Sequence, residues 1–370
     1  MTNAMLDPPQ IAPARLVQLD KAVASLLETD HDIVLPQAEA VLALEAAARG
    51  LGRVGVTALN LDTLPYGATI GRWLSEAGAT VIGVEVEPRH AVEPEAVARA
   101  LRRHPEISVL SFVHAEAATG ICNDAPTIAA LAQEHGALLV IDVVASFGAH
   151  QVRLDDWKAD LAVVGPQKAL AGPAGISIAA VSGAAWQAMS ANPGAPRGSV
   201  LSLLDWKQRW IDTDKSAIPG TPSPLEIIAL EAALERVSTE GVESLRRRHR
   251  SSAAASRAGA RALGLETFAI DAEAAVVATT LLAPEGVDAR DLVERAQAVR
   301  RAAVSSGFGE LASAVVRIDH TGQRARLGVV LEALEALGEA LKSSSSLRGS
   351  VKDALDAAER AWSAEHAASA

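Results

Sequence analysis

Short apolar runs alternate with segments of helical periodicity through the first two thirds of the chain, and no other feature constrains the fold as strongly. The apolar runs cover residues 54–60, 80–86, 108–113, 138–141, 161–164 and 176–181. Helical patterns lie between them at 67–78, 94–104 and 125–135. Such alternation predicts a mostly parallel sheet covered by helices on both faces. Because ligands of these sheets bind beyond the carboxyl ends of the strands, the residues just after each apolar run are the first candidates for a site.

The last third of the chain predicts a smaller α+β domain. A long amphipathic helix over 225–263, which Gly241 can interrupt, is followed by a helix from Ala289 and by predicted strands at 266–270, 275–282 and 315–318. We therefore expect five parts. They are a short N-terminal segment (1–30), a large cofactor-binding domain (31–224), a connecting helix (225–263), a small C-terminal domain (264–342), and a linker with a peripheral C-terminal helix (343–370).

Composition excludes several classes of function. The chain has 34 Lys and Arg against 45 Asp and Glu, a formal charge of −11, which argues against nucleic acid or an anionic membrane as a partner. The single cysteine, Cys122, rules out an intramolecular disulfide and a multi-thiolate site, and we predict no metal. The N-terminus lacks the regions of a signal peptide, and the uncharged stretch 169–196 is broken by glycine and proline, so we predict a cytoplasmic protein.

Three side chains with related chemistry follow predicted strands. His114 and Asp142 come directly after apolar runs, and Lys168 lies in GPQKALAGPAG after the run 161–164. A lysine that forms a Schiff base and a carboxylate that keeps a pyridine nitrogen protonated are what a pyridoxal cofactor needs. Singly, an aspartate after a strand is usually a cap and a lysine is usually solvated. Their joint occurrence at one sheet edge favours the cofactor site.

The segments HAEAATG, LLVIDVVASFGA and DDWKADLAVVGPQKALAGPAGIS resemble the class V aminotransferases of fold type I, which include alanine–glyoxylate and serine–pyruvate transaminases. The resemblance extends over about 34–341. It implies an α/β fold with a large domain built on a mostly parallel, seven-stranded sheet and a smaller C-terminal α+β domain. It also implies that Lys168 is the Schiff-base lysine, Asp142 the pyridinium partner and Arg317 the anchor of the substrate carboxylate.

Further site residues follow from the same resemblance, each with a structural alternative. A guanidinium pairs bidentately with a carboxylate, which suits Arg317, although a surface arginine on a strand is the alternative. Tyr66, the only tyrosine, matches an aromatic position over the cofactor ring, with simple packing as the alternative. His114 resembles a residue beside the cofactor, and a structural histidine is equally compatible. Cys122 is expected to be a buried small hydrophobic residue.

The predicted phosphate site departs from the family pattern. Ordinary members bind the cofactor phosphate at a Ser/Thr-Gly-rich turn that begins the first long helix. Here the turn is PQAE, which ends in Glu39 and precedes AVLALEAAARG. A carboxylate favours a helix N-terminus but repels a dianionic phosphate there, so Glu39 is either a cap or a determinant of the ligand. The phosphate-binding tyrosine of the partner-subunit segment is replaced by Ile218, although Thr221 remains.

These departures resemble the members of the family that use free, unphosphorylated vitamin B6 as a substrate. The shared segments lie at 39–47, 59–67, 104–107, 165–166 and 305–310. The implied reaction moves the amino group of pyridoxamine to pyruvate or another small 2-oxo acid and gives pyridoxal and alanine, a step of vitamin B6 degradation. Pyridoxal or pyridoxamine would be bound at Lys168, which moves the proton, and Glu39 would accept a hydrogen bond from the 5′ hydroxymethyl group.

Three features keep an alternative open. Phe308 stands where that subgroup has a second carboxylate-binding arginine, the Gly-Pro arm is not recognisable near the N-terminus, and Gln167 resembles the phosphate-binding members. The alternative is an alanine/serine–glyoxylate/pyruvate aminotransferase with pyridoxal 5′-phosphate as cofactor, and a non-catalytic B6-binding protein is a third hypothesis. Gln167 and Thr221 are also candidates for cofactor binding. The family builds its site at a subunit boundary, so we expect a homodimer or homotetramer.

Overall fold

The computed structural model describes residues 7–368, and its largest element is a seven-stranded sheet. The strands of that sheet are β1 Asp32–Val34, β2 Thr57–Leu61, β3 Thr80–Val84, β4 Ile107–Val113, β7 Leu138–Asp142, β8 Leu161–Val164 and β9 Ile178–Val181. Two residue pairs, β5 Ala115–Glu116 and β6 Ile121–Cys122, form a short hairpin. The smaller sheet contains β10 Thr279–Leu282, β11 Val304–Ser306 and β12 Val315–Ile318.

The strand order in the large sheet is β1-β9-β8-β7-β4-β2-β3. The pairs β2–β3, β2–β4, β4–β7 and β7–β8 are parallel, whereas β9 runs antiparallel to both β8 and β1. The mostly parallel sheet predicted from the sequence is therefore confirmed. Six of its strands lie within a few residues of the predicted apolar runs, and β2, β4, β7, β8 and β9 are almost entirely buried. The edge strand β1 was not predicted, and the other edge strand, β3, is largely accessible.

Twelve α-helices lie within the described residues. They are α1 Pro13–Leu27, α2 Ala40–Leu51, α3 Tyr66–Glu76, α4 Pro94–Arg103, α5 Ala125–His135, α6 Gly183–Ser190, α7 Leu203–Trp206, α8 Pro224–Glu240, α9 Val242–Ala262, α10 Ala289–Val299, α11 Leu327–Ser343 and α12 Val351–Ala368. Helix α1 was not predicted from the sequence, because the N-terminal residues were interpreted as a short unassigned segment. Its C-terminal half contributes Val23 and Leu27, both fully buried, to the core around the large sheet.

The predicted helix over 225–263 is divided into α8 and α9 at Gly241, as the sequence allowed. Gly241 has φ +82°, a left-handed conformation that a residue with a Cβ adopts only with strain. Predicted strand 266–270 does not form. Only Thr267 makes an isolated bridge, to Leu281, and the neighbouring strand begins at Thr279, later than predicted. Apolar composition alone did not distinguish this connection from a strand.

A second hydrophobic core joins the smaller sheet to α9, α10, α11 and α12. Its members include Leu334 and Leu337 of α11 and Ala354 and Ala358 of α12, all with no exposed surface. Helix α12 was expected to be a peripheral addition, and that expectation is wrong: its alanines allow it to pack closely against this core. None of the helices in the described part of the chain is long and apolar enough to cross a membrane.

Candidate active site

The carboxyl ends of four parallel strands lead to residues of one cavity. Tyr66 follows β2, Ala115 follows β4, Asp142 ends β7, and Lys168 lies in the loop after β8. This clustering is the expected consequence of parallel strands, whose carboxyl ends meet at one edge of the sheet. The full set of lining residues is Glu39, Val41, Leu44, Tyr66, Val113, Ala115, Ala117, Asp142, Val144, Ala145 and Lys168.

The loop that carries Lys168 is held tightly from both sides. The amide of Lys168 donates to the Gly165 carbonyl at 3.2 Å, and the Lys168 carbonyl accepts from the Ala171 amide at 3.0 Å. On the other side, a Cβ on Gly322 would lie 2.8 Å from the Lys168 carbonyl, so this close approach requires glycine. Arg236 of α8 donates to the Ala171 carbonyl at 2.8 Å. The lysine backbone is thereby fixed, whereas its amine has no hydrogen-bond or ion-pair partner within residues 7–368.

Asp142 is buried beside this lysine and is 3% exposed. Its Oδ1 accepts a hydrogen bond from the Val144 amide at 2.7 Å, while Oδ2 has no hydrogen-bond partner among the described residues. Burial raises the pKa of Asp142 to about 7, and the Val144 amide and the charge of Lys168 partly offset this rise. A carboxyl in this position can share a proton with a ligand nitrogen.

Glu39 lies at the N-terminus of α2 and lines the same cavity. Its Oε2 accepts from the Val41 amide at 2.8 Å, which caps the helix, and its Oε1 accepts from Gln167 Nε2 at 2.6 Å. The Gln167 Oε1 is buried and has no partner. The carboxylate is therefore both a cap and a wall of the cavity, so the two interpretations of Glu39 do not exclude each other.

Glu116 holds the segment that carries Tyr66, and sequence analysis missed it. Its Oε1 accepts from Thr63 Oγ1 at 3.2 Å and from the amides of Tyr66 and Gly67 at 3.2 and 3.1 Å. Its Oε2 is buried without a partner. Burial raises the pKa of Glu116 to about 8, and the charge of Asp142 is the second cause of this rise. The hydrogen bonds to Glu116 act in the opposite direction and lower its pKa. The sequence signal was a charged residue within the apolar, small-residue stretch HAEAATG.

Tyr66 begins α3 and is 38% exposed. Its pKa is raised by burial and by the charges of Glu39, Asp142 and Glu116, and is lowered in part by Arg317. The phenol therefore lies among the acidic groups of the site and within electrostatic reach of Arg317. Arg317 itself lies on β12 and is not among the residues that line the cavity.

His114 does not line the cavity, which corrects its assignment beside a cofactor. Val113 and Ala115 line the cavity, and the intervening His114 ring packs against Trp157 and His150, with centroids 5.3 and 5.5 Å away. Side chains of successive extended residues point to opposite sides, which explains the difference. Burial lowers the pKa of His114 to about 3, so the ring is neutral. The position of His114 is therefore that of a structural histidine that packs in the protein interior.

Nitrogen and sulfur atoms of His114, Cys122 and His150 lie within 4.8 Å of one another behind the cavity, which raises the question of a metal. The Val276 amide donates to His150 Nε2 at 3.1 Å, so the ring proton of His150 must sit on Nδ1. That Nδ1 faces Cys122 Sγ at 3.7 Å and cannot bind a cation while protonated. Burial also raises the pKa of the Cys122 thiol to about 12. The cluster fits hydrogen-bonded packing better than metal binding.

Thr221 lies outside this chain's own cavity. It is exposed, and its carbonyl accepts from Gln37 Nε2 at 3.0 Å. Ile218, which replaces the expected tyrosine, is 8% exposed. Of the sequence-predicted residues, the structure thus brings Glu39, Tyr66, Asp142, Gln167 and Lys168 together, places Arg317 close by, and separates His114 and Thr221 from them.

The cavity suits a pyridine ring of the vitamin B6 type. It combines an unpartnered lysine amine with a buried carboxyl that has one free oxygen, and its walls include Val144, Ala145 and the Tyr66 ring. These are the groups required to link a carbonyl and to hold a proton at a ring nitrogen. The sheet order and this arrangement define a fold type I enzyme.

Comparisons with known proteins give the family. The sequence model of the family "Aminotransferase class-V" matches residues 21–331. Pyridoxamine–pyruvate transaminase of Mesorhizobium japonicum is 39% identical over 327 residues, which are 88% of this chain and 82% of that protein. The chain therefore belongs to the class V aminotransferases.

Two further comparisons agree. The crystal structure of pyridoxamine–pyruvate aminotransferase from Mesorhizobium loti has a TM-score of 0.90 and 36% identity, and the match covers 95% of this chain and 90% of that chain. Serine–glyoxylate aminotransferase of Methylorubrum extorquens is 32% identical over 266 residues, 70% of this chain and 66% of that protein. The predicted fold type I architecture and aminotransferase class are confirmed.

Proposed function

We propose that this chain transfers the amino group of free pyridoxamine to pyruvate or another small 2-oxo acid and releases pyridoxal and an L-amino acid such as alanine. One observation carries the proposal: the Glu39 carboxylate occupies the N-terminus of α2 in the cavity of Lys168. The similarity to a protein named pyridoxamine–pyruvate transaminase supports it. Such a reaction would be a step in the breakdown of vitamin B6.

Glu39 favours a ligand that carries a hydroxymethyl group over one that carries a phosphate. The Glu39 carboxylate already accepts from the Val41 amide and from Gln167. A dianionic phosphate at the same helix terminus would face this negative charge at close range. A hydroxymethyl group can instead donate a hydrogen bond to the carboxylate, and hydrogen bonds to a charged group are among the stronger ones in proteins.

The other residues of the site then have distinct roles. The bound B6 ring supplies an electron sink that allows a carbon next to the nitrogen to lose a proton. Lys168 moves that proton, because its amine is free and its backbone is fixed. Asp142 holds a proton at the ring nitrogen, Tyr66 covers the ring, and Arg317 binds the carboxylate of the 2-oxo acid.

We also propose that the functional unit is at least a dimer. Thr221 is exposed and lies outside its own cavity, which suits a residue that reaches the site of a neighbouring subunit. Ile218 brings no phosphate-binding hydroxyl to that segment, which agrees with a ligand that lacks a phosphate.

The direct test is product analysis. Purified protein is incubated with pyruvate and either pyridoxamine or pyridoxamine 5′-phosphate, and alanine and the released aldehyde are measured by chromatography. We expect alanine and pyridoxal from the free vitamer, loss of both products in Lys168→Ala, and unchanged products in Lys352→Ala, an exposed lysine on α12.

Two outcomes would overturn the proposal. If amino transfer occurs only with the phosphorylated vitamer, the protein is an ordinary alanine/serine–glyoxylate aminotransferase with pyridoxal 5′-phosphate as cofactor. The similarity to serine–glyoxylate aminotransferase makes this the second candidate. If neither vitamer gives products with pyruvate, glyoxylate or 2-oxobutyrate, the chain is a non-catalytic B6-binding protein.

A further inference from the structure

A buried histidine of α9 binds the chain segment that follows the smaller sheet. His249 has no exposed surface, and its Nε2 accepts a hydrogen bond from the Gly322 amide at 3.1 Å. The ring proton therefore lies on Nδ1, which donates to the Leu245 carbonyl at 2.7 Å. Burial lowers the pKa of His249 to about 4, so the ring is neutral and keeps Nε2 as an acceptor. Both ring nitrogens are thus engaged with backbone groups.

The carbonyl of Gly322 is held by the neighbouring residue of the same helix. Arg248 donates from Nη1 to the Gly322 carbonyl. Its Nη2 donates to Glu240 Oε2, at the end of α8, at 3.2 Å. Two successive residues of α9 therefore fix both backbone polar groups of Gly322, and the contact with Glu240 ties this arrangement to the junction of α8 and α9.

Gly322 in turn lies against the loop that carries Lys168. A Cβ on Gly322 would lie 2.8 Å from the Lys168 carbonyl and 3.1 Å from Ala171 Cβ, so the two segments are in close contact. Arg236 of α8 holds the same loop through the carbonyls of Leu170 and Ala171, at 3.2 and 2.8 Å. Helices α8 and α9 thus hold the lysine loop in two ways, directly through Arg236 and indirectly through Gly322.

The Lys168 amine itself has no anchor of this kind. It has no hydrogen-bond or ion-pair partner among the described residues 7–368. The location of the amine therefore depends on the backbone of the loop, and a reacting group that is displaced by about 1 Å can lose about a hundredfold in rate. Contacts that fix the Lys168 carbonyl are therefore expected to affect the chemical step more than substrate binding.

We propose that His249 is a positioning residue for amino transfer, because it holds Gly322 against the backbone of Lys168 and so places the amine that moves the proton. The histidine is not among the residues that line the cavity, and it acts only through this contact. This role goes beyond the proposed function, since Lys168 has the same task whether or not the vitamer carries a phosphate. A wrong assignment of His249 would leave the choice of vitamer untouched.

Two substitutions separate this role from the bulk of the side chain. His249→Phe retains a ring of similar size but has no acceptor, so the Gly322 amide loses its partner in the protein interior. His249→Gln carries an amide oxygen that can accept from Gly322 in place of Nε2. The glutamine variant is therefore the conservative one, and it should rescue what the phenylalanine variant loses.

Asn192 provides a matched control for stability. It is 1% exposed, and its Nδ2 donates to the carbonyls of Gly50 and Gly52 at 2.8 and 3.0 Å, at the C-terminal end of α2. Asn192→Leu also leaves buried backbone groups unpaired, but at the end of α2 that is opposite to the cavity. We expect it to lower the Tm about as much as His249→Phe does, while kcat stays within about twofold of the wild-type value.

Kinetics are measured with pyruvate and whichever pyridoxamine vitamer supports amino transfer. In His249→Phe we expect kcat to fall by about tenfold to thirtyfold, with KM for both substrates within about threefold of the wild-type value. In His249→Gln we expect kcat within about threefold of wild type. Gly322→Ala, whose methyl group would meet the Lys168 carbonyl, should lower kcat to a similar extent as His249→Phe although His249 is intact.

Hydrogen exchange of the unloaded protein provides a readout that requires no ligand. Peptides that cover 165–172 and 320–325 are compared by mass spectrometry. In His249→Phe we expect faster exchange in both peptides, because the Gly322 amide is released and the Lys168 loop loses its support. In His249→Gln and Asn192→Leu we expect exchange at the wild-type rate in both.

Three results would contradict the role of His249. One is wild-type kcat in His249→Phe together with faster exchange in 320–325, which would show that Gly322 does not control the lysine. Another is an equal loss of kcat in His249→Phe and Asn192→Leu, which would show a general effect of stability. The third is a His249→Gln variant that loses as much kcat as His249→Phe. If His249→Phe does not fold, Gly322→Ala decides, because wild-type kcat in that variant would contradict the proposed contact.

Discussion

Gln167 donates a hydrogen bond from Nε2 to Glu39 Oε1 at 2.6 Å, which joins the loop of the candidate lysine to the N-terminus of α2. Gln167, which in the sequence resembles a phosphate ligand, is therefore hydrogen-bonded to Glu39, whose negative charge disfavours a phosphate. Its other amide atom, Oε1, is buried and unpartnered.

Gln167→Ala tests this arrangement. Loss of the hydrogen bond leaves Glu39 less well positioned, so we expect affinity for pyridoxal to fall by roughly fivefold, about 1 kcal/mol. Affinity for pyridoxal phosphate should not improve, because the charge of Glu39 remains. Both affinities are measured by absorbance titration. A variant that loses only pyridoxal phosphate binding would show that Gln167 is a phosphate ligand instead.

Glu116→Gln tests the charge state of the buried carboxyl beneath Tyr66. The folded-state pKa of Glu116 is raised from 4.5 to about 8. The contribution of this carboxyl to the free energy of unfolding is therefore fully present below pH 4.5 and is lost as pH rises to about 8. The variant should therefore gain stability relative to the wild type between pH 5 and pH 8, by a few kcal/mol.

The measurement is urea unfolding at several pH values in that interval. Glu116→Gln keeps an oxygen to accept from Tyr66 and Gly67, and Glu95→Gln, on the exposed first turn of α4, is the matched control. A pH-independent difference between variant and wild type would contradict the expected protonation of Glu116.

His114→Phe tests the placement of this residue outside the cavity. The ring packs edge-on against Trp157 and its Nδ1 has no partner, so phenylalanine can replace it with a small effect on amino transfer, within about threefold in kcat. The folded-state pKa of His114 is lowered from 6.5 to about 3, so its contribution to stability is lost as pH falls from about 6.5 towards 3.

The variant should therefore unfold less readily than the wild type over that acid interval, as monitored by tryptophan fluorescence. A loss of kcat by two orders of magnitude with unchanged stability would instead return His114 to the reaction site.

A test of subunit composition follows from Thr221 and Ile218. Light scattering should give a molar mass of at least twice that of the 38.3 kDa chain. If this segment completes the neighbouring site, mixing Lys168→Ala with a variant in which 218–222 is replaced by glycine and serine should restore part of the activity that each lacks. A fully active monomer would contradict the placement.

The sequence predicted the inner strands of the large sheet well because they are buried on both faces and read as uninterrupted apolar runs. It missed β1, a three-residue edge strand too short to give such a run. It also predicted Asp142, which follows such a run directly, and Lys168, which lies in the GPQK segment just after another. It did not predict Glu116. The role of Glu116 depends on hydrogen bonds with Thr63, Tyr66 and Gly67, about fifty residues earlier in the chain, and no local pattern marks such contacts.

Two failures of the sequence analysis have identifiable physical causes. His114 follows a strand like Asp142, but the alternation of side chains along the extended chain directs it to the opposite side. Helix α12 was interpreted as peripheral because nothing in its sequence resembles chemistry, but its small side chains allow Ala354 and Ala358 to pack closely on the second core. Position after a strand indicates the sheet edge but does not give the direction of the side chain.

Selection of the unphosphorylated vitamer by Glu39 is measured by an absorbance titration. Wild-type protein, Glu39→Ser and the control Glu95→Ser are each titrated with pyridoxal and with pyridoxal phosphate, and the band of the lysine-bound ligand is followed. Serine is itself a good N-cap, so Glu39→Ser removes the charge and keeps the helix start.

We expect the wild-type protein and Glu95→Ser to bind pyridoxal at least about tenfold more tightly than pyridoxal phosphate, and Glu39→Ser to reverse the order. Tight binding of pyridoxal phosphate by the wild-type protein, with no change in either affinity in Glu39→Ser, would contradict this expectation and leave Glu39 as a helix cap alone.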